Sequence, residues 1–452
     1  MSKLNELSSQ PVGRLLWKYS LPAVVGMVVM SLYNVIDRIF IGQVFGPEAI
    51  SGLTITFPVM NITTAIGVLV GAGASARISI AMGEGNHRLS EMILGNAITL
   101  TFINAAVYIT VFAIFIDPIL RLFGASDVTI PYAREFIIYL LPGLLMTNIA
   151  FGLNNIMRAS GYPGRAMFTM IIGAGCNVIL APIFLFVLRT GIRGAAIATD
   201  ISMAVSAAFV LAHFFNRNSH LHFTKGTFAL RRHIIIAIIS IGAAPALVNF
   251  AACGINALIN TTLYHFGGDI AVGAAGIFTT YAALLTTVIL GVCQGMQPIV
   301  GYNYGAGCYG RLRRTYLLAV AVATAICTLG SVVGLAFPHA VASAFTTDPR
   351  LIDTTVRALS LTMLAFPVVG FQIISTTFFQ SIGQAGKSIF LSLTRQVLFL
   401  IPLLLILPRY MRLEGVWISF PTADIIATVV TALLIILQFR QINALSRRSD
   451  RP

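Results

Sequence analysis

Three carboxylates stand where water should not reach them. Asp37, Asp200 and Asp424 each fall well inside an apolar run of this chain. An ionised side chain at the centre of a bilayer costs at least roughly 2.5–3.5 kcal/mol, so each needs a partner, a proton or a water-filled cavity. Asp37 sits in Tyr33-Asn34-Val35-Ile36-Asp37. Asn34 and Asp37 are three apart and share a helix face. Such a pair could trade a proton or Na+ against a cationic group, or Asp37 could bridge to a neighbouring Arg such as Arg38. Asp200 follows Thr199 near the end of one run, and Asn177 lies near the middle of the run before it. A carboxylate, an amide and a hydroxyl offer the hard oxygens that Na+ or a proton relay requires. Pairing of Asp200 with Arg193 or Arg38 accounts for the same residues equally well. Asp424, in Pro421-Thr422-Ala423-Asp424, is either a second coupling acid or the partner of Arg395.

The second half of the chain answers these acids with amides. Its first run carries Asn249, Asn256 and Asn260, and Asn260 lies 260 − 37 = 223 positions after Asp37. An amide can orient a substrate but cannot carry a proton. Gln294 and Gln297 follow in a Gly-rich stretch, where they either line a cavity or bond neighbouring helices.

The elements that hold these residues must be membrane helices. Of 452 residues, 57% are hydrophobic and only 10% charged, against roughly 25% charged in a soluble domain. We count twelve apolar runs of roughly 20 residues or more, each long enough to span a bilayer. The expected fold is therefore all-α and polytopic. It also repeats: Phe45-Gly46 returns as Phe266-Gly267, Gly83-x-Gly85 as Gly305-x-Gly307, and Ser160-Gly161-x-x-Gly164 as Ile382-Gly383-x-x-Gly386. The offsets are 267 − 46 = 221, 305 − 83 = 222 and 383 − 161 = 222. The polar stretch between the sixth and seventh runs divides the chain into an N-terminal lobe (1–216), a linker (217–231), a C-terminal lobe (232–440) and a basic tail (441–452). Six spans per lobe is an even number, so the repeat is parallel, with a transport path expected between its halves. Interior prolines, among them the matched Pro22 and Pro245, curve the spans or act as hinges.

The net charge of +14 reads as topology. With the N-terminus inside, most Lys and Arg fall in the inner connections, among them Arg158, Arg231-Arg232 and Arg311-x-Arg313-Arg314. That pattern places both termini in the cytoplasm of a bacterial inner membrane, with basic residues on anionic lipid and no nucleic-acid partner. The five cysteines show no metal spacing, and the first run is too long for a cleavable signal. No nucleotide loop, zinc spacing or catalytic cluster is present, and His213 and His265 stand isolated, so an enzyme is not expected. No cofactor is expected either. An ion gradient of H+ or Na+ remains as the energy source.

Over nearly its whole length the chain resembles multidrug and toxic compound extrusion (MATE) transporters, and looks closest to their MepA-like bacterial branch. The matching stretches include Gly13-Arg14-Leu15-Leu16 leading to Leu21-Pro22, and Tyr33-Asn34-x-x-Asp37-x-Ile39-Phe40-Ile41-Gly42. Asn155-x-x-Arg158-Ala159-x-Gly161, Gly194-Ala195-Ala196-Ile197-Ala198-Thr199 and Gln297-Pro298-x-x-Gly301-Tyr302-Asn303-Tyr304-Gly305 complete the set. The resemblance implies twelve helices in two bundles forming a V, and a monomeric exporter exchanging H+ or Na+ for organic cations. By position it implies an N-lobe ion and substrate cluster of Asp37, Asn177 and Thr199, a Na+ site if Na+ is the coupling ion, flanked by Asn34 and Asn154. Asn256, Asn260 and Gln297 are the corresponding substrate candidates of the second lobe. Two positions depart from the pattern. Ala181 stands where the family often has a second carboxylate, and Arg38 where it has a small or polar residue. Asp200 is the candidate for the missing charge. A lipid-linked precursor flippase of the same superfamily is the rival expectation; its pyrophosphate would need cationic residues, for which Arg38, Arg77 and Arg395 are the candidates.

Overall fold

The computed structural model describes residues 3–44, 47–123, 125–127, 129–217 and 219–449. Within these ranges the side chains of 3–5, 34, 37–39, 41–44, 47–55, 57, 253 and 445–449 fall outside the description. The side chains of Asn34, Asp37 and Arg38, and the Phe45-Gly46 pair, are thus outside the described residues. What is described is helical almost throughout, with no strand. A short α1 (Lys3–Ser9) precedes α2 (Val12–Val44), α3 (Pro47–Gly83), α4 (His87–Leu122), α5 (Ile130–Ala159), α6 (Pro163–Pro182) and α7 (Ile192–Phe215). The second lobe comprises α8 (Arg232–Gly305), α9 (Tyr309–Ala336), α10 (Pro338–Ser343), α11 (Pro349–Thr362), α12 (Phe366–Ser381), α13 (Ala385–Leu393) and α14 (Ile401–Ser449). The last helix continues unbroken into the basic tail.

Helices are forced by the composition, since in lipid only a helix or a closed barrel pairs every backbone amide and carbonyl. Large apolar side chains such as Ile114, Leu329 and Leu433 remain more than half exposed, as a lipid-facing surface requires. Among the described residues ten helices are long and apolar enough to cross a membrane, two of them double length: Arg232–Gly305 and Ala385–Ala444. Each folds back on itself. Asn256 and Thr279 line one cavity, although a straight helix would hold these residues, 279 − 256 = 23 apart, about 35 Å from each other. Arg395 bonds Asp424 across the other reversal. The turning residues have positive φ, Gly268 (64°) in α8 and Arg412 (50°) in α14. Eight single and two double crossings give 8 + 2 × 2 = 12 spans.

The repeat is written into the backbone as well. Positive φ recurs at Gly85 and Gly307 (74° and 69°) and at Gly161 and Gly383 (97° and 76°), each pair 222 apart. One tether recurs too. Asn154 donates to the Ala166 carbonyl (2.6 Å); between positions 376 and 388, each 222 on, the direction is reversed and Ser388 donates to the Thr376 carbonyl (3.1 Å).

The lobes meet along α2, α3 and α8, at the end of the molecule that carries the linker. Glycine makes that approach possible. A Cβ on Gly242 would lie 1.8 Å from the Leu69 carbonyl oxygen, and one on Gly305 would lie 2.1 Å from that of Ile80. Small residues at such crossings let backbones touch. At the same end Arg311 donates to the Leu7 and Gln10 carbonyls (3.1 and 2.7 Å), tying α1 onto the second lobe. One residue assigned to an inner connection belongs elsewhere. Arg158 is buried in α5 (3% exposed) and donates to Asn154 (2.6 Å) and, across the seam, to Gln294. It is a lobe-to-lobe tie rather than a solvated loop charge.

Candidate functional site

In the N-terminal lobe the structure brings together two of the expected residues. Asn177, fully buried on α6, donates to the Thr199 hydroxyl on α7 at 3.1 Å. The Thr199 hydroxyl in turn donates to the Ala195 carbonyl (3.0 Å), so it does not donate to the Asn177 carbonyl oxygen. Asp200, one residue on, turns roughly 100° around the helix and faces α5 rather than α6. Its carboxylate packs on Gly143, where a Cβ would meet Oδ1 at 1.7 Å. That Oδ1 is buried against the Gly143 backbone, and no side chain pairs with it among the described residues. The alternative partner Arg193 is exposed and bonded to Glu135 instead, so that pairing is not made. Ala181 is fully buried and leaves no second carboxylate on α6.

A small cavity of about 20 Å³ opens deeper in this lobe, lined by Met30, Phe151, Met170 and Met203 together with Asn154, Thr169 and Ser206. At that volume the cavity admits little more than a water-sized group, walled by soft methionines and an aromatic ring. Asn154 contributes to that wall while its oxygen is held by Arg158 and its nitrogen by Ala166. Gln297 is not with these residues. It reaches across the seam toward the Ala72 carbonyl (3.5 Å). Asn256 and Asn260 are both exposed on α8, and Asn256 alone lines the C-lobe cavity.

The C-terminal lobe is built differently at the same depth. Asp424 is 4% exposed and is paired with Arg395. Gln372 donates to the Asp424 backbone carbonyl (2.5 Å) and to Thr428 (2.6 Å), fixing α14 against α12. Gln372 escapes sequence reading because a lone amide in an apolar run carries no motif. Only its partners reveal it.

The MatE family profile matches this chain twice, over residues 22–183 and 245–406. The chain belongs to the MatE family. Both matched stretches are displaced by 245 − 22 = 223, one per lobe, so this MatE protein is a tandem of two family units. It is 28% identical over 432 residues to a protein of Shewanella oneidensis named FAD transporter, covering 94% of this chain and 95% of that one. It is 25% identical over 438 residues to the multidrug export protein MepA of Staphylococcus aureus, covering 96% of each. Among solved structures, an outward-facing multidrug resistance MATE transporter of the MOP superfamily superposes with a TM-score of 0.91 at 26% identity, over 99% of both chains. The protein is a membrane transporter of small molecules and not an enzyme.

Proposed function

We propose that this MatE transporter exports organic cations as a monomer, exchanging them for H+ or Na+ by alternating access between its lobes. The observation that carries the reading is Asp200: a carboxylate in an apolar lobe, with one buried oxygen that no side chain pairs among the described residues. Such an oxygen is a place for a proton or a cation. The Asn177–Thr199 pair supplies neutral oxygens at the α6–α7 contact of the same lobe, roughly 100° around α7 from Asp200, and Asp37 rises on α2 of that lobe. With the linker end in the bacterial cytoplasm, as the Lys and Arg distribution expects, the glycine seam closes the inner side. The state described is then outward-facing, as in the solved relative. MepA carries the name of a multidrug exporter and the Shewanella relative that of an FAD transporter, so relatives of similar identity differ in cargo.

The test is efflux of a fluorescent cation from loaded proteoliposomes, with ΔpH and Na+ gradients imposed separately. Wild type should respond to one of them. If neither gradient drives efflux, the antiport reading fails for such substrates.

A further inference from the structure

The C-terminal lobe holds a second polar chamber that cation–ion antiport leaves unused. Its volume is about 160 Å³, and its lining includes Asn256, Thr279, Arg395, Gln396, Phe420 and Asp424. Arg395 engages Asp424 through Nε. Neither terminal nitrogen of its guanidinium has a protein partner among the hydrogen bonds of the described residues, and the side chain is one-third exposed to the chamber. A guanidinium held by its Nε edge presents its two Nη groups as a planar fork matched to the oxygens of a carboxylate or a phosphate. Asp424 neutralises the charge of the empty site and orients the fork from behind. Arg395 and Gln396 lie on a π-turn, Thr394–Leu400, a local widening of the helix that is frequent at functional sites. The widening lets two consecutive residues reach one chamber. Asn256 and Thr279, both exposed, stand at its accessible side, and Phe420 offers a ring face.

The repeat sharpens this reading. Arg395 corresponds to 395 − 222 = 173, a glycine, and Asp424 to 424 − 222 = 202, a serine, or to Met203 at the offset 415 − 194 = 221, so neither register puts an acid there. In the first lobe Gly173 lines the methionine-rich cavity and Ser202 bonds its own helix. The scaffold therefore does not need the ion pair, and the second lobe carries it in addition.

We propose that the C-lobe chamber around Arg395 is a substrate site for an oxyanion, a carboxylate or a phosphate borne by an otherwise flat molecule. The proposal rests on the reading of this chain as a small-molecule carrier, but it is tested by binding without any gradient, so its failure is distinct from failure of antiport.

Isothermal titration of the full-length protein in detergent would compare two matched pairs, flavin mononucleotide against riboflavin and nicotinate against nicotinamide. The first pair differs by a phosphate and the second by a carboxylate. At least one anionic member should bind about tenfold tighter than its neutral counterpart, and the responding pair names the group. The preference should vanish in Arg395→Gln/Asp424→Asn, which removes both charges together, and persist in Arg193→Gln, which removes an exposed arginine elsewhere. Arg395→Lys, which keeps Asp424 paired but loses the fork, should weaken the preference at least threefold and serves if the neutral pair does not fold. Equal or absent binding within both pairs overturns the proposal. So does a preference that survives both Arg395 variants.

Discussion

At matched depth the two lobes share a frame and differ in charge. Around Gly173, Ser202 and Ala150 the first lobe keeps its interior neutral and lines a cavity with methionines. The residues 222 positions on are Arg395, Asp424 and Gln372, an ion pair with an amide bracing it. The first lobe instead carries its acid elsewhere on α7, at Asp200, facing α5 with no cationic partner among the described residues. The difference teaches that duplication conserved the glycine turns, the Asn154/Ser388 tether and the packing, and left the interior free to specialise. One lobe has an acid packed on a glycine with no cationic partner among the described residues; the other has an acid paired with an arginine.

The ion pair is the strongest place to break that comparison. Arg395→Gln would leave Asp424 buried and unpaired. The expected loss is roughly 3 kcal/mol, the low end of the range for breaking a buried pair, because Arg395 is partly exposed. Thermal unfolding in detergent should show most of it recovered in Arg395→Gln/Asp424→Asn, where both charges are gone. A similar loss in the single and double variants would mean that the pair's shape, and not its charge balance, holds the lobe. A smaller effect is expected where the repeat trades a glycine for an arginine. Gly191 and Arg412 turn the chain at equivalent places with φ of 72° and 50°. Arg412→Gly should stabilise the protein by about 1 kcal/mol by relieving a backbone that a side chain opposes. A lower melting temperature in that variant would show that the Arg412 side chain holds the turn by its contacts.

Much of the fold was legible in the residues. Apolar runs give the spans, and the recurrence of Gly85 and Gly161 at Gly307 and Gly383 announces both the repeat and its left-handed turns. The reversal at Arg412 was not announced, because nothing marks a non-glycine residue for positive φ. The site was legible only in part. Asn177 and Thr199 meet because their helices pack, as the resemblance implied. The direction of Asp200 depends on which helix lies beside α7, a tertiary fact. The choice between coupling acid and ion pair for Asp424 likewise turned on whether residues 395 and 424, on opposite strokes of a hairpin, come within reach. Arg158 was read as a loop charge from its place near a helix end, yet the partner lobe closes over it.

The claim that the first lobe couples ions and the second does not is tested most directly by gradient-driven efflux of a fluorescent cation from proteoliposomes. Asp200→Asn would be compared with Arg395→Gln/Asp424→Asn. The expected result is loss of the gradient response in Asp200→Asn, with the response kept in the double variant. A gradient response that survives Asp200→Asn, or that disappears with the C-lobe pair, would contradict the division of labour between the lobes.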